Sequence, residues 1–167
     1  MAKWSWKKSS WTPTAVADTI AFTDGGYMGL IGGSTTQRID VYEVYMGGVA
    51  GASSPSLMVV SRDSTVEGTP TALSTGESNA ALDPATAALA AAQIAFTAST
   101  TKPQRSATLG LATLPFNAFG GIVRWVAAPG SEFKMLGNAA SFGELSLSAF
   151  TGGTPGLMGA HLLYETI

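Results

Sequence analysis

The chain has 167 residues, a formal net charge of −2 and no cysteine. This length suits one domain with a sizeable core, because folding at this size buries about 70% of the surface that the unfolded chain exposes. The absence of cysteine excludes a disulfide framework, a thiol nucleophile and a cysteine-based metal site. The small net charge gives no electrostatic reason to expect nucleic acid as the main partner.

The low share of charged residues points to assembly with other proteins. Charged residues make up 12% of the chain, against about 25% in ordinary soluble domains. Hydrophobic residues stand at a normal 46%, so Gly, Ala, Ser and Thr replace the missing charge. A surface of small neutral groups suits repeated protein contacts, because each contact desolvates few charges.

No membrane segment or signal peptide is expected. The longest mostly apolar stretch, residues 85–96, is shorter than a membrane-spanning helix and is interrupted by Thr86 and Gln93. The lysines near the N-terminus are not followed by the apolar stretch of a signal peptide. We therefore expect the protein to be made and kept inside the cell until something releases it.

Residues 1–11 interleave basic and aromatic side chains. In an extended chain Trp4 and Trp6 share one face, and Lys3, Ser5 and Lys7 share the other. The pattern is too apolar for a free tail, so it predicts an N-terminal arm, residues 1–11, that docks on a neighbouring subunit or on a coat protein. The predicted partner-binding residues are Trp4, Trp6, Trp11, Lys7 and Lys8. Two alternatives remain open: stacking on single-stranded nucleic acid, and tryptophans that cap the chain's own core.

Residues 12–167 read as a β-rich structural domain made of short apolar segments between turn residues. The strongest segment, residues 37–46, has Ile39, Val41 and Tyr45 on one face and Tyr42, Val44 and Met46 on the other. Because both faces carry apolar groups, this strand is predicted to be covered on both sides. The other predicted strands are residues 15–22, 27–31, 57–61, 94–98, 107–114, 122–127, 142–150 and 157–164.

One short helix is predicted from Pro84 to about residue 92. Asp83 is a suitable N-cap, and proline is favoured at the first helical position. No interdomain linker or internal repeat is apparent. The sequence therefore predicts a single all-β domain, a β-sandwich, jelly roll or small barrel, with one short helix and the N-terminal arm.

Catalytic and metal-binding groups are scarce, and no catalytic, cofactor or metal residue is predicted. His161 is the only histidine and lies in an apolar strand, so a structural or interface role is favoured over a general base. Asp40 and Glu43 are predicted to point to opposite faces of one strand. A carboxylate pair from distant strands, such as Asp63 with Glu144, remains open as a route to glycan hydrolysis.

Several loops are predicted to be ordinary turns. The glycine-rich runs 29–33 and 47–51 lack the pattern and the following helix of a phosphate-binding loop. Residues 99–106 form a polar loop in which Lys102 and Arg105 are predicted to be exposed. An acidic partner is an alternative for this loop, but a solvated turn is favoured.

Four stretches of the sequence resemble small virion structural proteins of tailed bacteriophages: residues 39–48, 61–65, 116–125 and 143–164. The composition is also similar to that of capsid decoration, or cement, proteins. This resemblance implies a β-rich subunit, often a homotrimer, that binds the outside of the phage head and staples neighbouring copies of the major capsid protein. It implies location in the virion after synthesis in the host cytoplasm, and it supplies no site residue or cofactor.

The predicted function is therefore a non-enzymatic capsid decoration subunit that binds the coat lattice and copies of itself. The alternatives are a head-fibre or tail module that binds glycans, a coat protein, and a glycan-degrading enzyme. Glycan binding requires exposed aromatic side chains outside the core, and the candidates are Tyr27, Tyr42, Tyr45 and Trp125.

Overall fold

The computed structural model describes residues 2–32, 36–65, 70–71, 79–85, 93–95, 97–98, 100–136 and 143–167. Regular structure within these ranges is entirely β, which confirms the all-β prediction. The strands are β1 (Ala2–Trp11), β2 (Tyr27–Ile31), β3 (Arg38–Gly48), β4 (Pro55–Thr65), β5 (Pro70–Thr71), β6 (Ala80–Ala81), β7 (Gln93–Ala95), β8 (Thr97–Ala98), β9 (Gln104–Asn117), β10 (Ile122–Val126), β11 (Phe133–Leu136), β12 (Glu144–Phe150) and β13 (Met158–Thr166).

The strands form two larger antiparallel sheets and one small pair. Sheet A has the order β10-β3-β13-β1-β6, and sheet B has the order β7-β2-β12-β4-β9. β5 pairs with β8. In sheet A, β10 pairs with residues 43–47 of β3 and β11 pairs with residues 38–41. The two strands therefore follow one another along the same edge of β3.

One hydrophobic core joins the two sheets. Its completely buried members include Trp6, Val44 and Leu162 from sheet A and Val60 and Leu147 from sheet B. Successive side chains of a strand point to opposite faces, so each sheet contributes one face to this core and keeps one outer face. This arrangement is consistent with a β-sandwich.

A β-bulge in β3 changes which side chains face the core. In the pairing with β13, Glu43 and Val41 lie opposite successive residues, so Tyr42 is an extra residue. A bulge of this kind reverses the alternation of side chains beyond it. The completely buried side chains of β3 are Ile39, Val41, Val44 and Met46.

The bulge overturns the predicted faces of β3. Asp40 and Glu43 were predicted to lie on opposite faces, but both lie on the outer face of sheet A, where Asp40 accepts two 2.8 Å hydrogen bonds from Arg38. Tyr42 and Tyr45 are partly exposed on the same face. The prediction that β3 is covered on both sides is therefore wrong.

The segment between β1 and β2, residues 12–26, packs on the outer face of sheet B. A strand was predicted at residues 15–22, but only Val16 makes an isolated bridge, to Phe150. The ring of Phe22 stacks on that of Tyr27, with centroids 5.3 Å apart, whereas Ile20 is exposed. Side-chain packing therefore replaces the predicted strand pairing here.

Most of the predicted helix, residues 86–92, lies outside the described residues. At its predicted start, the backbone N–H of Ala85 donates a 2.9 Å hydrogen bond to Asp83 Oδ1. This is the local bond that an Asp side chain makes in an Asx turn or at a helix N-cap.

Candidate functional site

β1 places the N-terminal tryptophans in the chain's own core. Trp4, Trp6 and Trp11 are at most 5% exposed, and they belong to the cluster that both sheets share. Residues 2–11 pair with β13, with Ala2 opposite Thr166 and Trp11 opposite Met158. In the structure this segment is therefore a strand of sheet A rather than a separate arm, and its indole rings are not available to a neighbouring subunit.

Two of the three lysines of β1 lie on the solvent side. Lys3 and Lys7 are exposed, and the ammonium group of Lys3 is 5.2 Å from the ring centroid of Tyr42. Lys8 is partly buried, and Lys7 and Lys8 both line an open groove that extends across β1, β13 and β3. Of the predicted partner-binding residues, the structure thus leaves Lys7 and Lys8 on an accessible surface.

A row of side chains crosses the outer face of sheet A from β1 to β10. Lys7, His161, Tyr45 and Arg124 lie directly opposite one another in successive strands. The rings of His161 and Tyr45 stack with centroids 4.9 Å apart and planes 9° apart. Arg124 donates two 3.0 Å hydrogen bonds to the carboxylate of Glu43, and His161 Nε2 is 3.7 Å from Glu43 Oε1.

The charge of Glu43 is matched within this row. Hydrogen bonding from Arg124 lowers the pKa of Glu43; the attraction of Arg124 and His161 acts in the same direction, and burial acts against it. The same bond raises the pKa of Arg124. Because the carboxylate and the guanidinium neutralise each other, a protein that covers the Arg124 end of this row desolvates a pair rather than an isolated charge.

An open groove of about 440 Å³ runs beside the row. Its lining includes Lys7, Lys8, Tyr45, Gly47, Ile122, Gly159 and His161. A side chain at Gly47 would meet only the ring of Tyr45, at 3.8 Å. The groove thus has a backbone floor at Gly47 and Gly159 and basic side chains at one end.

Exposed apolar side chains follow the β10–β11 edge of sheet A. Ile122 is 68% exposed, Val126 53% and Leu136 60%, and Phe119, in the turn before β10, is 58% exposed. Within β10 the exposed positions alternate with partly buried ones. Trp125, at a partly buried position, stacks on Phe133 with ring centroids 3.9 Å apart. Groups of this kind mark contact surfaces between proteins.

The carboxylates Asp63 and Glu144 lie on the neighbouring strands β4 and β12 and are sealed from solvent. Both are completely buried on the outer face of sheet B, and Ser146 donates a 2.7 Å hydrogen bond to Asp63 Oδ1. Gly29 lies inside β2 rather than in the predicted turn. Glycine is required at this position because a Cβ atom there would collide with Glu144 Oε1. This pair has the composition that glycan hydrolysis requires but no access for a substrate.

The two cations of loop 99–106 have different surroundings. Lys102 forms an ion pair with Asp24. Arg105 was predicted to be exposed, but it is 2% exposed, so that prediction is wrong. Its guanidinium donates to Val16 O at 2.8 Å, Asp18 Oδ1 at 3.1 Å, Ser148 Oγ at 2.9 Å and Ala149 O at 3.0 Å. Arg105 therefore ties residues 12–26 to sheet B.

Two of the four candidate aromatics for glycan binding remain accessible. Tyr27 is completely buried, and one face of Trp125 is covered by Phe133. Tyr42 and Tyr45 lie on the outer face of sheet A, and Tyr45 lines the groove.

Comparisons with known proteins give no match to a family model, to a curated protein or to a solved structure. In the described part of the chain, no helix is long and apolar enough to cross a membrane. The same residues contain no group of three or more acidic or histidine side chains placed to hold a metal ion.

Proposed function

We propose that this chain is a virion structural protein of a tailed phage, a capsid decoration subunit that binds the coat lattice through the outer face of sheet A. The observation that carries the proposal is the difference between the two outer faces. On sheet B, the polar face is covered, with Ser146, Ser148 and Tyr27 completely buried. On sheet A, the row and the groove are left open.

The open face has the properties of a docking surface. Two of its carboxylates are paired within the face, Glu43 with Arg124 and Asp40 with Arg38, which limits the desolvation penalty that isolated charges impose on an interface. Glycines keep the groove open, and apolar side chains lie along one edge. Modest binding at each site becomes substantial when many subunits bind one shell.

The proposal is tested by binding to assembled coat shells and by fractionating virions into heads and tails. Gly47→Arg fills the groove without entering the core, because open space lies above Gly47 apart from the ring of Tyr45. The matched control is Gly110→Arg in β9, where a side chain would meet nothing within 4 Å. We expect the native protein in the head fraction, at least a tenfold loss of shell binding for Gly47→Arg, and native binding for Gly110→Arg.

Two results would contradict this assignment. One is a native protein that does not sediment with coat shells and is found in tails. The other is a Gly47→Arg variant that binds shells as well as the native chain.

Glycan binding is the second candidate, favoured by Tyr45 beside the basic groove. A glycan array separates the two candidates, because a decoration subunit needs no sugar ligand. Array signals that Tyr45→Ala abolishes, together with the absence of shell binding, would favour the glycan-binding module. The glycan-degrading enzyme receives no support from the carboxylate pair named as an example, because Asp63 and Glu144 are both completely buried.

A further inference from the structure

We propose that β10 is a pairing edge for a second copy of this chain, so that sheet A continues across a two-fold axis into sheet A of the partner. The inference deepens the proposed function, because it names a second copy as the partner of one edge of the open sheet. Its test is separate from binding to the coat.

The hydrogen bonds at the two ends of β10 show which backbone groups face outward. Gly48 N donates to Gly121 O at 2.9 Å, and Ala127 N donates to Tyr42 O at 2.9 Å. In an antiparallel strand, alternate residues bond to the same neighbour, so the odd-numbered residues 121–127 face β3. The residues whose N–H and C=O groups point away from β3 are Ile122, Arg124 and Val126. Alongside residues 43–47 of β3, β10 is the last strand of sheet A on that side in the described structure.

The other described edges carry features that discourage strand pairing, and β10 does not. β9, at the edge of sheet B, contains Pro115 and several register shifts. β7 and β6 have three and two residues, and β11, which also lies along the outer edge of β3, has four residues and carries Lys134. The part of β1 beyond β6 carries Lys7 and Lys8. Prolines, irregular register, short strands and lysines are the usual means of protecting an edge. β10 has a regular register and one charged side chain, Arg124.

The exposed side chains of β10 complement a second copy in one register. When two β10 strands pair antiparallel with Arg124 at the two-fold axis, Ile122 of each copy lies opposite Val126 of the other. A register centred on residue 123 or 125 would instead place Arg124 opposite an apolar residue. The register centred on Arg124 therefore pairs both exposed apolar residues across the two strands, and such pairs stabilise an antiparallel sheet. It also uses all three outward-facing backbone positions.

The charges at the axis are compatible with this pairing. Each Arg124 is held by Glu43 of its own chain through two 3.0 Å hydrogen bonds. The two copies therefore bring together two neutral ion pairs rather than two uncompensated guanidinium groups.

The absence of cysteine makes cross-linking a clean test of the register. Residues opposite each other in a bonded pair have Cα atoms about 5.5 Å apart, within the range of a disulfide. Under mild oxidation we expect Arg124→Cys to form a covalent dimer. Ile122→Cys alone should remain monomeric on a non-reducing gel, whereas a mixture of Ile122→Cys with Val126→Cys should cross-link. An Arg124→Cys variant that does not cross-link, or an Ile122→Cys variant that dimerises with itself, would overturn the proposal.

A proline at position 124 tests the backbone bonds. Because the N–H of Arg124 faces outward, Arg124→Pro removes no bond to β3, and Arg124→Ala serves to isolate the contribution of the side chain. By sedimentation equilibrium, we expect the proline variant to weaken self-association at least tenfold more than the alanine variant. Equal effects, or a native chain that stays monomeric, would refute edge pairing. If circular dichroism shows that the proline variant is unfolded, Val126→Lys replaces it, with the same expected loss.

The outcomes for pairing and for coat binding are distinguishable. A native chain that stays monomeric but sediments with coat shells defeats edge pairing and leaves the decoration function standing. A chain that pairs through β10 but ignores coat shells defeats the proposed decoration function and leaves the edge assignment standing.

Discussion

At the scale of single residues, Arg105 is the polar group on which the covering of sheet B depends most. Its guanidinium bonds to residues 16–18 on one side and to residues 148–149 on the other. Phe22 and Phe150 also lie near it, with ring centroids 5.3 and 5.2 Å from the guanidinium carbon. A planar group with five donors can satisfy acceptors on both sides at once, which an ammonium group cannot.

We expect Arg105→Met to lower the free energy of unfolding by about 3 kcal/mol, since removing one partner of a buried charged network typically costs 3–5 kcal/mol. Arg105→Lys keeps the charge and should also destabilise, because it cannot reach all four acceptors. Urea titration followed by circular dichroism measures both. Lys102→Met, which removes an ion pair to an Asp24 side chain that is 61% exposed, is the control and should change the midpoint much less. Equal losses at positions 105 and 102 would contradict the role assigned to Arg105.

The pairing of Glu43 should make stability depend on acid pH. Its pKa is lowered below the ordinary value of 4.5 by hydrogen bonding from Arg124. A carboxyl group with a lowered folded-state pKa stabilises the fold above its ordinary pKa, and this contribution is lost as the pH falls through the folded value. Glu43→Gln should therefore lower the urea midpoint at neutral pH and have progressively less effect below about pH 4.5.

Arg124→Met provides the partner control for this prediction. In that background, Glu43→Gln should have a smaller effect at neutral pH, since the main cause of the pKa shift is gone. A pH-independent difference between the native chain and Glu43→Gln would show that the ion pair does not contribute to stability.

At the scale of elements, the sequence predicted which side chains of β1 share a face, but it did not predict which surface of the molecule covers the apolar face. The predicted faces of residues 1–11 agree with the burial of Trp4 and Trp6 and the exposure of Lys3 and Lys7. Alternation defines an apolar face without saying which surface covers it. The pairing of β1 with β13 decides that, and it is a contact between residues far apart in sequence.

The same limitation applies to β3 and β10. The position of the long strand was predicted within two residues at each end, but the bulge at Tyr42 has no glycine or proline to mark it, so every side chain beyond it was assigned to the wrong face. In β10 apolar residues occupy both faces, so the sequence alone did not distinguish exposed Ile122 and Val126 from the partly buried positions between them. The Glu43–Arg124 ion pair was missed because the sequence showed neither the bulge in β3 nor which face of β10 is exposed.

We expect deletion of residues 2–11 to unfold the chain. Replacing one buried tryptophan by alanine typically costs 3–5 kcal/mol, and three such losses reach the 5–15 kcal/mol that stabilises an ordinary domain. Trp6→Ala alone should lower the free energy of unfolding by about 3–5 kcal/mol, and Trp6→Phe should lower it less. Far-UV circular dichroism and urea titration measure these changes. A folded deletion variant would restore the interpretation of residues 1–11 as an arm.

At the scale of the whole molecule, the shared core predicts cooperative unfolding. Tryptophans of sheet A pack in the same cluster as Val60 and Leu147 of sheet B, so neither sheet can keep its core when the other is lost. Thermal transitions followed by tryptophan fluorescence and by far-UV circular dichroism should coincide, as they do for two-state domains. Two separate transitions would show that the sheets are independent.

The pairing of β1 with β13 also constrains how the chain reaches its fold. Ala2 lies opposite Thr166, so β1 cannot acquire its main neighbour until nearly the whole sequence has been synthesised. Contacts between such distant residues slow folding, because a long loop must close before the contact forms. Until then the indole rings of Trp4, Trp6 and Trp11 lack their native cover, which makes the nascent chain a candidate for chaperone binding at its N-terminal end.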